Sequence, residues 1–151
     1  MMRRRTLLSG LGGSIGCLLV PQSLAWVADR LDPVLTEHFG TRRPEQGGVE
    51  LEVSRLVENG NSVAVAVRAL EHASAAVGLY LFMPRNPEPW GASVRIEPPA
   101  LPLLHTRVRL AGTQDLTAVV ERADGSLGAT AVTVMVTLGA CADEIYGDFV
   151  Q

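Results

Sequence analysis

Residues 49–68, VELEVSRLVENGNSVAVAVR, carry the reading that decides the fold. Val49, Leu51 and Val53 alternate with Glu50, Glu52 and Ser54; further on, Val63, Val65 and Val67 alternate with Ala64, Ala66 and Arg68. Successive side chains of a strand point to opposite faces, so this period of two predicts strands with one buried and one wet face. Between them, Glu58-Asn59-Gly60-Asn61 has the Asn-Gly signal of a hairpin turn.

The same pattern continues downstream. Gly78 to Met83 reads as a third strand, stopped by the proline-rich loop Pro84-Arg85-Asn86-Pro87-Glu88-Pro89, and Ala92 to Glu97 as a short fourth, stopped by Pro98-Pro99. A fifth places Leu104, Thr106, Val108 and Leu110 on one face and His105, Arg107 and Arg109 on the other. A sixth runs from Asp115 to Arg122 and closes at the turn Ala123-Asp124-Gly125-Ser126. The seventh, about Thr130 to Leu138, sets Val132, Val134, Val136 and Leu138 on one side. Short strands with a turn signal every 8–12 residues or so predict an all-β, immunoglobulin-like β-sandwich of about seven strands. The sandwich is expected over residues 47–138.

Upstream, residues 26–46 read as a short helical segment and linker. WVADRLDPVLTEHF (26–39) is helical in pattern, but Pro33 favours two pieces meeting near Asp32 over one helix. The stretch 40–48, GTRRPEQGG, is rich in helix and strand breakers. Residues 1–25 read as a signal peptide. Arg3 to Arg5 precede an apolar stretch from Leu7 to Val20, which is broken by four glycines and too short to span a bilayer. Ser23-Leu24-Ala25 then suits signal peptidase. Arg4-Arg5-Thr6-Leu7-Leu8 resembles a twin-arginine signal, which implies export of an already folded protein to the periplasm.

A chain of 151 residues with 47% hydrophobic content fits one packed domain. Its 13 basic residues are all arginines, of which 10 follow Ala25 together with all 16 acids, so the mature chain stands near −6. That balance argues against nucleic acid, which needs a cationic face, and against anionic lipid.

Few groups can carry chemistry. His38, His72 and His105 share no metal-ligand spacing, and no phosphate loop or nucleophile elbow is present. The row His105, Arg107, Arg109 is either an anion or partner surface or simply the wet face of a strand. Cys17 falls within the signal, leaving Cys141 alone in the mature chain and unable to form an internal disulfide. It follows the last predicted strand in an arm of small residues, Gly139, Ala140 and Ala142, within the segment 139–151 that ends in the acidic tail ADEIYGDFVQ. Asp143 and Glu144 beside it disfavour a thiolate, so the pattern describes a thiol presented for another protein to modify, or else an inert buried Cys.

Taken in order, several stretches resemble the SoxY family, the sulfur-carrier subunit of the periplasmic thiosulfate-oxidising Sox system. They are Glu58-Asn59-Gly60, Asn86-Pro87-Glu88-Pro89, Thr106-Arg107-Val108-Arg109-Leu110-Ala111, Gln114, Asp124-Gly125-Ser126, and Val134 through Cys141. The resemblance covers roughly residues 26–142. It implies an immunoglobulin-like sandwich that pairs with a SoxZ-like subunit and holds sulfur intermediates covalently on Cys141. It implies no catalysis by the chain and no cofactor in it. Haem-containing and hydrolytic Sox enzymes would act on the carried, thiosulfate-derived group, with a sulfane dehydrogenase in between. The family ends in Gly-Gly-Cys-Gly-Gly; here the matching residues are Gly139-Ala140-Cys141-Ala142-Asp143, and Glu144 to Gln151 follow. That departure keeps two alternatives in view: a diverged paralogue not competent for thiosulfate, and an exported immunoglobulin-like binding or assembly module.

Overall fold

The computed structural model describes residues 22–70 and 75–138, with side chains from Leu31 onward. One helix, α1 (Gln22–Phe39), precedes nine strands: β1 (Glu45–Gln46), β2 (Val49–Val53), β3 (Leu56–Asn59), β4 (Val63–Ala69), β5 (Ala76–Phe82), β6 (Trp90–Arg95), β7 (Leu103–Val108), β8 (Gln114–Arg122) and β9 (Leu127–Leu138). They form a six-stranded sheet in the order β1-β9-β8-β5-β6, with β3 also on β9, and a three-stranded sheet β2-β4-β7. The immunoglobulin-like sandwich expected from the alternation is therefore present, and each of its seven anticipated strands is found. No helix among the described residues is long and apolar enough to cross a membrane.

The alternating residues fill the space between the sheets. Val49, Leu51, Val63, Val65 and Val67 of the smaller sheet meet Leu79, Leu81, Leu116, Ala118, Val120 and Val134 of the larger. A second cluster lies on the larger sheet's other face, where Leu31, Leu35 and Phe39 of α1 pack on Phe82, Val119 and Leu127. With apolar contacts on both faces, β8 is buried continuously from Leu116 to Val120.

Three local expectations are corrected. First, α1 is a single helix running through Pro33, not two pieces meeting near Asp32. Proline inside a helix costs about 3 kcal/mol. However, its ring lies on the exposed side, and the stripe Leu31, Leu35, Phe39 on the opposite side stays in register across it. Gly40, at φ 64°, ends the helix in the left-handed conformation glycine adopts most readily, and its amide donates to Thr36 O at 2.9 Å.

Second, Asn59-Gly60 is not a two-residue hairpin. β3 leaves the smaller sheet and pairs in parallel with β9, Leu56 opposite Met135 and Asn59 opposite Leu138, before the chain returns to β4. Gly60 is not among the positive-φ glycines, so the turn is not the mirror-image type that hairpins favour. Asn59 Oδ1 instead accepts from the Asn61 amide at 2.8 Å. Third, Leu138 shares the parity of Val134 yet is 64% exposed, because β9 runs on past the cover of the opposite sheet. The 40–48 linker also contains β1, paired in parallel with Gly128 and Ala129.

Arg42 ties the end of α1 to the sheet. Its guanidinium donates to Glu121 Oε1 at 2.7 Å and to Gly125 O at 3.1 Å, while Tyr80 Oη donates to Glu121 Oε2 at 2.7 Å. Burial, then the hydrogen bond to Glu121 and its charge, push the Tyr80 phenol up to about 12. Burial opposes the charge on Glu121, but the hydrogen bonds from Arg42 and Tyr80 outweigh it and hold the carboxyl below its ordinary value. A depressed carboxyl contributes stability above the unfolded-state value and loses it as pH falls through the folded one. Tyr80 contributes below its unfolded value and loses that contribution as pH rises towards about 12. Glu121→Gln is therefore expected to lower Tm at pH 7, with the gap to the parent closing at acid pH. Melting curves across pH check this; an equal gap at neutral and strongly acid pH contradicts it.

Candidate functional site

The residues shared with the family pattern fall into two kinds once placed. Most hold turns. Asn86 Nδ2 donates to Arg109 O at 2.7 Å, and Asn86 Oδ1 accepts from the Ala111 amide and from Gln114 Nε2, both at 2.9 Å. Gln114, nearly fully buried, also accepts from the Arg85 amide at 3.0 Å. Together Asn86 and Gln114 staple the proline-rich loop to the β7–β8 connection by pairing the backbone groups of Arg85, Arg109 and Ala111. Asp124 Oδ1 accepts from the Ser126 amide at 2.8 Å and from its hydroxyl at 2.7 Å, and these bonds lower the Asp124 carboxyl. Gly125 between them has φ 83°. These motifs are structural.

The second kind converges on the end of β9. The Gly60 amide donates to Leu138 O at 2.8 Å, and Gly60 O accepts from the Leu110 amide at 2.8 Å. Thr137 Oγ1 donates to Glu58 O at 2.9 Å, and the Val136 amide donates to Thr113 Oγ1 at 3.0 Å. The end of β9 is thus held from both sides, at Val136 by Thr113 and at Leu138 by Gly60. Cys141 is three residues further on and, with Gly139, Ala140 and Ala142, lies outside the described residues, as does His72. Sequence reasoning named Gly60 but took it for a hairpin turn, and it missed Thr113, which carries no pattern of its own.

Beside this end, the outer face of β2-β4-β7 forms an open trough of about 1000 Å³. Ala64 and Ala66 make its floor, and His105, Arg107, Ser62, Leu56 and Glu52 stand around it. His105, Arg107 and Arg109 are all exposed, as the alternation predicted, although Arg109 lies just past the end of β7. Arg107 Nη1 donates to Ser62 O and Ser62 Oγ, both at 3.4 Å.

The histidines are not brought together. His38 sits on α1 with its ring 4.2 Å from that of Trp90, while His105 lies on the outer face of the other sheet. Among the described residues no group of three His, Cys, Asp or Glu could hold a metal ion. What the described residues do show is a strand end, that of β9, fixed by hydrogen bonds to Gly60, Glu58 and Thr113.

Comparison with known proteins agrees with this geometry. Residues 35–141 match the family described as sulfur oxidation protein SoxY. The solved structure of the sulfur carrier protein SoxY from Chlorobium limicola f thiosulfatophilum superposes with a TM-score of 0.65 at 28% identity, covering 74% of this chain and 99% of that one. A superoxide reductase (neelaredoxin) from Ignicoccus hospitalis gives 0.50 at 19% identity, covering 60% and 80%. A variant of that reductase gives 0.52 at 17%, covering 72% and 91%. At such identities the reductases share the fold alone. No curated protein matches the chain in sequence.

Proposed function

Because the chain belongs to the SoxY family, we propose that it is a sulfur carrier in sulfur oxidation, holding thiosulfate-derived intermediates covalently on Cys141. One observation carries this reading: the family match ends at residue 141, the cysteine itself, three residues beyond the point where β9 is clasped to Gly60. The carrier is not an enzyme. Joining thiosulfate to the thiol forms a bond between Sγ and the outer sulfur of thiosulfate, releases the thiol proton and removes two electrons. A haem-containing partner takes the electrons. A hydrolytic partner then adds water to the conjugate and releases sulfate.

The chain acts as a heterodimer with a SoxZ-like subunit. Exposed Leu56, Met135 and Leu138, along the paired β3 and β9, support such a partner, since apolar surface in one place marks interaction sites. Arg4-Arg5-Thr6-Leu7-Leu8 supports export through the twin-arginine route to the periplasm, with the partner already bound.

The test is intact mass after incubation with thiosulfate and the haem-containing partner. A gain of one S2O3 group is expected; an unchanged mass, under conditions that load a Gly-Gly-Cys-Gly-Gly carrier, contradicts the reading. Trimming after Ala142 adds a second readout. Loading that appears only in the trimmed chain assigns 143–151 as a block or pro-segment, and equal loading shows that partner enzymes accommodate the tail.

A further inference from the structure

Arg107, like Arg109 beyond it, stands apart from the arginines that form ion pairs. Arg42 pairs with Glu121, Arg43 with Asp32 and Arg68 with Glu50, whereas Arg107 has no carboxylate partner among the described residues. Its two hydrogen bonds, both 3.4 Å and both to Ser62, lie at the long end of the range and are readily exchanged. Opposite it in register stands Ala64, whose methyl leaves open space in front of the guanidinium. The trough's acid, Glu52, is opposite Ala66 and thus in the row of His105, not in that of Arg107. The head of the trough therefore offers an uncompensated, solvent-reachable cation in a chain that is acidic overall.

The end of β9 lies next to that head. Leu138 is bonded to Gly60, Gly60 is two residues from Ser62, and Ser62 holds the guanidinium. Three further residues separate Cys141 from Leu138, a length of chain that spans at most about 10 Å. A sulfur conjugate that ends in a sulfonate is a permanent anion with three acceptor oxygens. A guanidinium fork is suited to such an oxyanion, giving two parallel charge-assisted hydrogen bonds.

We propose that Arg107, at the head of the alanine-floored trough, is a resting site for the anionic group carried on Cys141. The inference rests on the carrier reading. Docking there holds the charged conjugate against the sandwich between encounters with partner enzymes, and Ser62 retains the guanidinium when the site is vacant. The carboxylates of Asp143 and Glu144 are the competing occupants.

The test needs neither sulfur chemistry nor partner enzymes, so its failure is distinguishable from failure of loading. In the full chain carrying Cys17→Ser, Cys141 is the one remaining thiol. Iodoacetate or iodoacetamide converts it to an anionic or a neutral thioether, the thiolate displacing iodide as a C–S bond replaces C–I. With each adduct verified by mass, nitrogen-15 NMR follows Arg107 Nε–H and the Ser62 amide. The anionic adduct is expected to shift both signals and the neutral one neither. Added salt should shrink the shifts, and Arg107→Gln should abolish that of Ser62. Equal shifts with both adducts, or none with either, overturn the proposal. So do signals that respond to Asp143→Asn with Glu144→Gln but not to carboxymethylation.

Discussion

Cys141→Ser is expected to reduce thiosulfate-dependent electron delivery to the haem-containing partner to background. Loading makes a bond between two sulfurs, and a serine oxygen cannot make it. A serine hydroxyl also stays protonated at neutral pH, whereas an ordinary thiol near pKa 8.5 supplies a few per cent of thiolate at any moment. The effect is therefore a loss of function and not a slowing. Melting of the variant reports separately on the fold, and an unchanged Tm with no activity is the expected combination. Activity retained in Cys141→Ser would place the protein among exported binding or assembly modules. By contrast, Ala140→Gly and Ala142→Gly are expected to change the loading rate only a few-fold. Alanine and glycine differ by about 0.5–1 kcal/mol in backbone freedom, and both are small.

Phe82→Ala is expected to have the largest effect on stability. Phe82 is completely buried beneath α1, its ring 6.3 Å from that of Phe39 and 5.9 Å from His38. Truncating a buried Phe removes its transfer free energy and leaves a cavity, costing about 3–5 kcal/mol. Against a net stability of about 5–15 kcal/mol that is a large share, and Tm should fall by roughly 10 °C or more. The loss should centre on the helix layer, because Leu31, Leu35 and Phe39 pack in the same cluster as Phe82. Thermal melting with near-ultraviolet circular dichroism checks it; a Tm within 2–3 °C or so of the parent contradicts the packing described.

The sandwich was legible above all in strands that bury one face, as β2 and β4 do. Val63, Val65 and Val67 alternate with Ala64, Ala66 and Arg68 in sequence for the same reason that they alternate between core and solvent in the fold. What escaped was decided by distant partners. β1 and β3, with two and four residues, are too short to show a period, and both exist because β9 offers them an edge. The unbroken helix escaped because Pro33 argues locally for a break, while burial of Leu31, Leu35 and Phe39 depends on a sheet formed much later in the chain. At the site, the exposure of His105, Arg107 and Arg109 followed from alternation alone. The clasp of Gly60 on Leu138 did not, because Asn-Gly usually turns a hairpin and here serves a strand that changes sheets. Cys141 stood out by its rarity and by the small residues around it, and the family match that ends on it gives it its proposed role.

The most direct measurement of the carrier reading is the location of the added mass. The chain has no Lys and no Arg after Arg122, so trypsin leaves residues 123–151 as one fragment containing Cys141. After incubation with thiosulfate and the haem-containing partner, that fragment is expected to carry one S2O3 group at Cys141, removable by a thiol reductant. A fragment that stays unmodified while a Gly-Gly-Cys-Gly-Gly carrier in the same mixture is loaded would contradict the account.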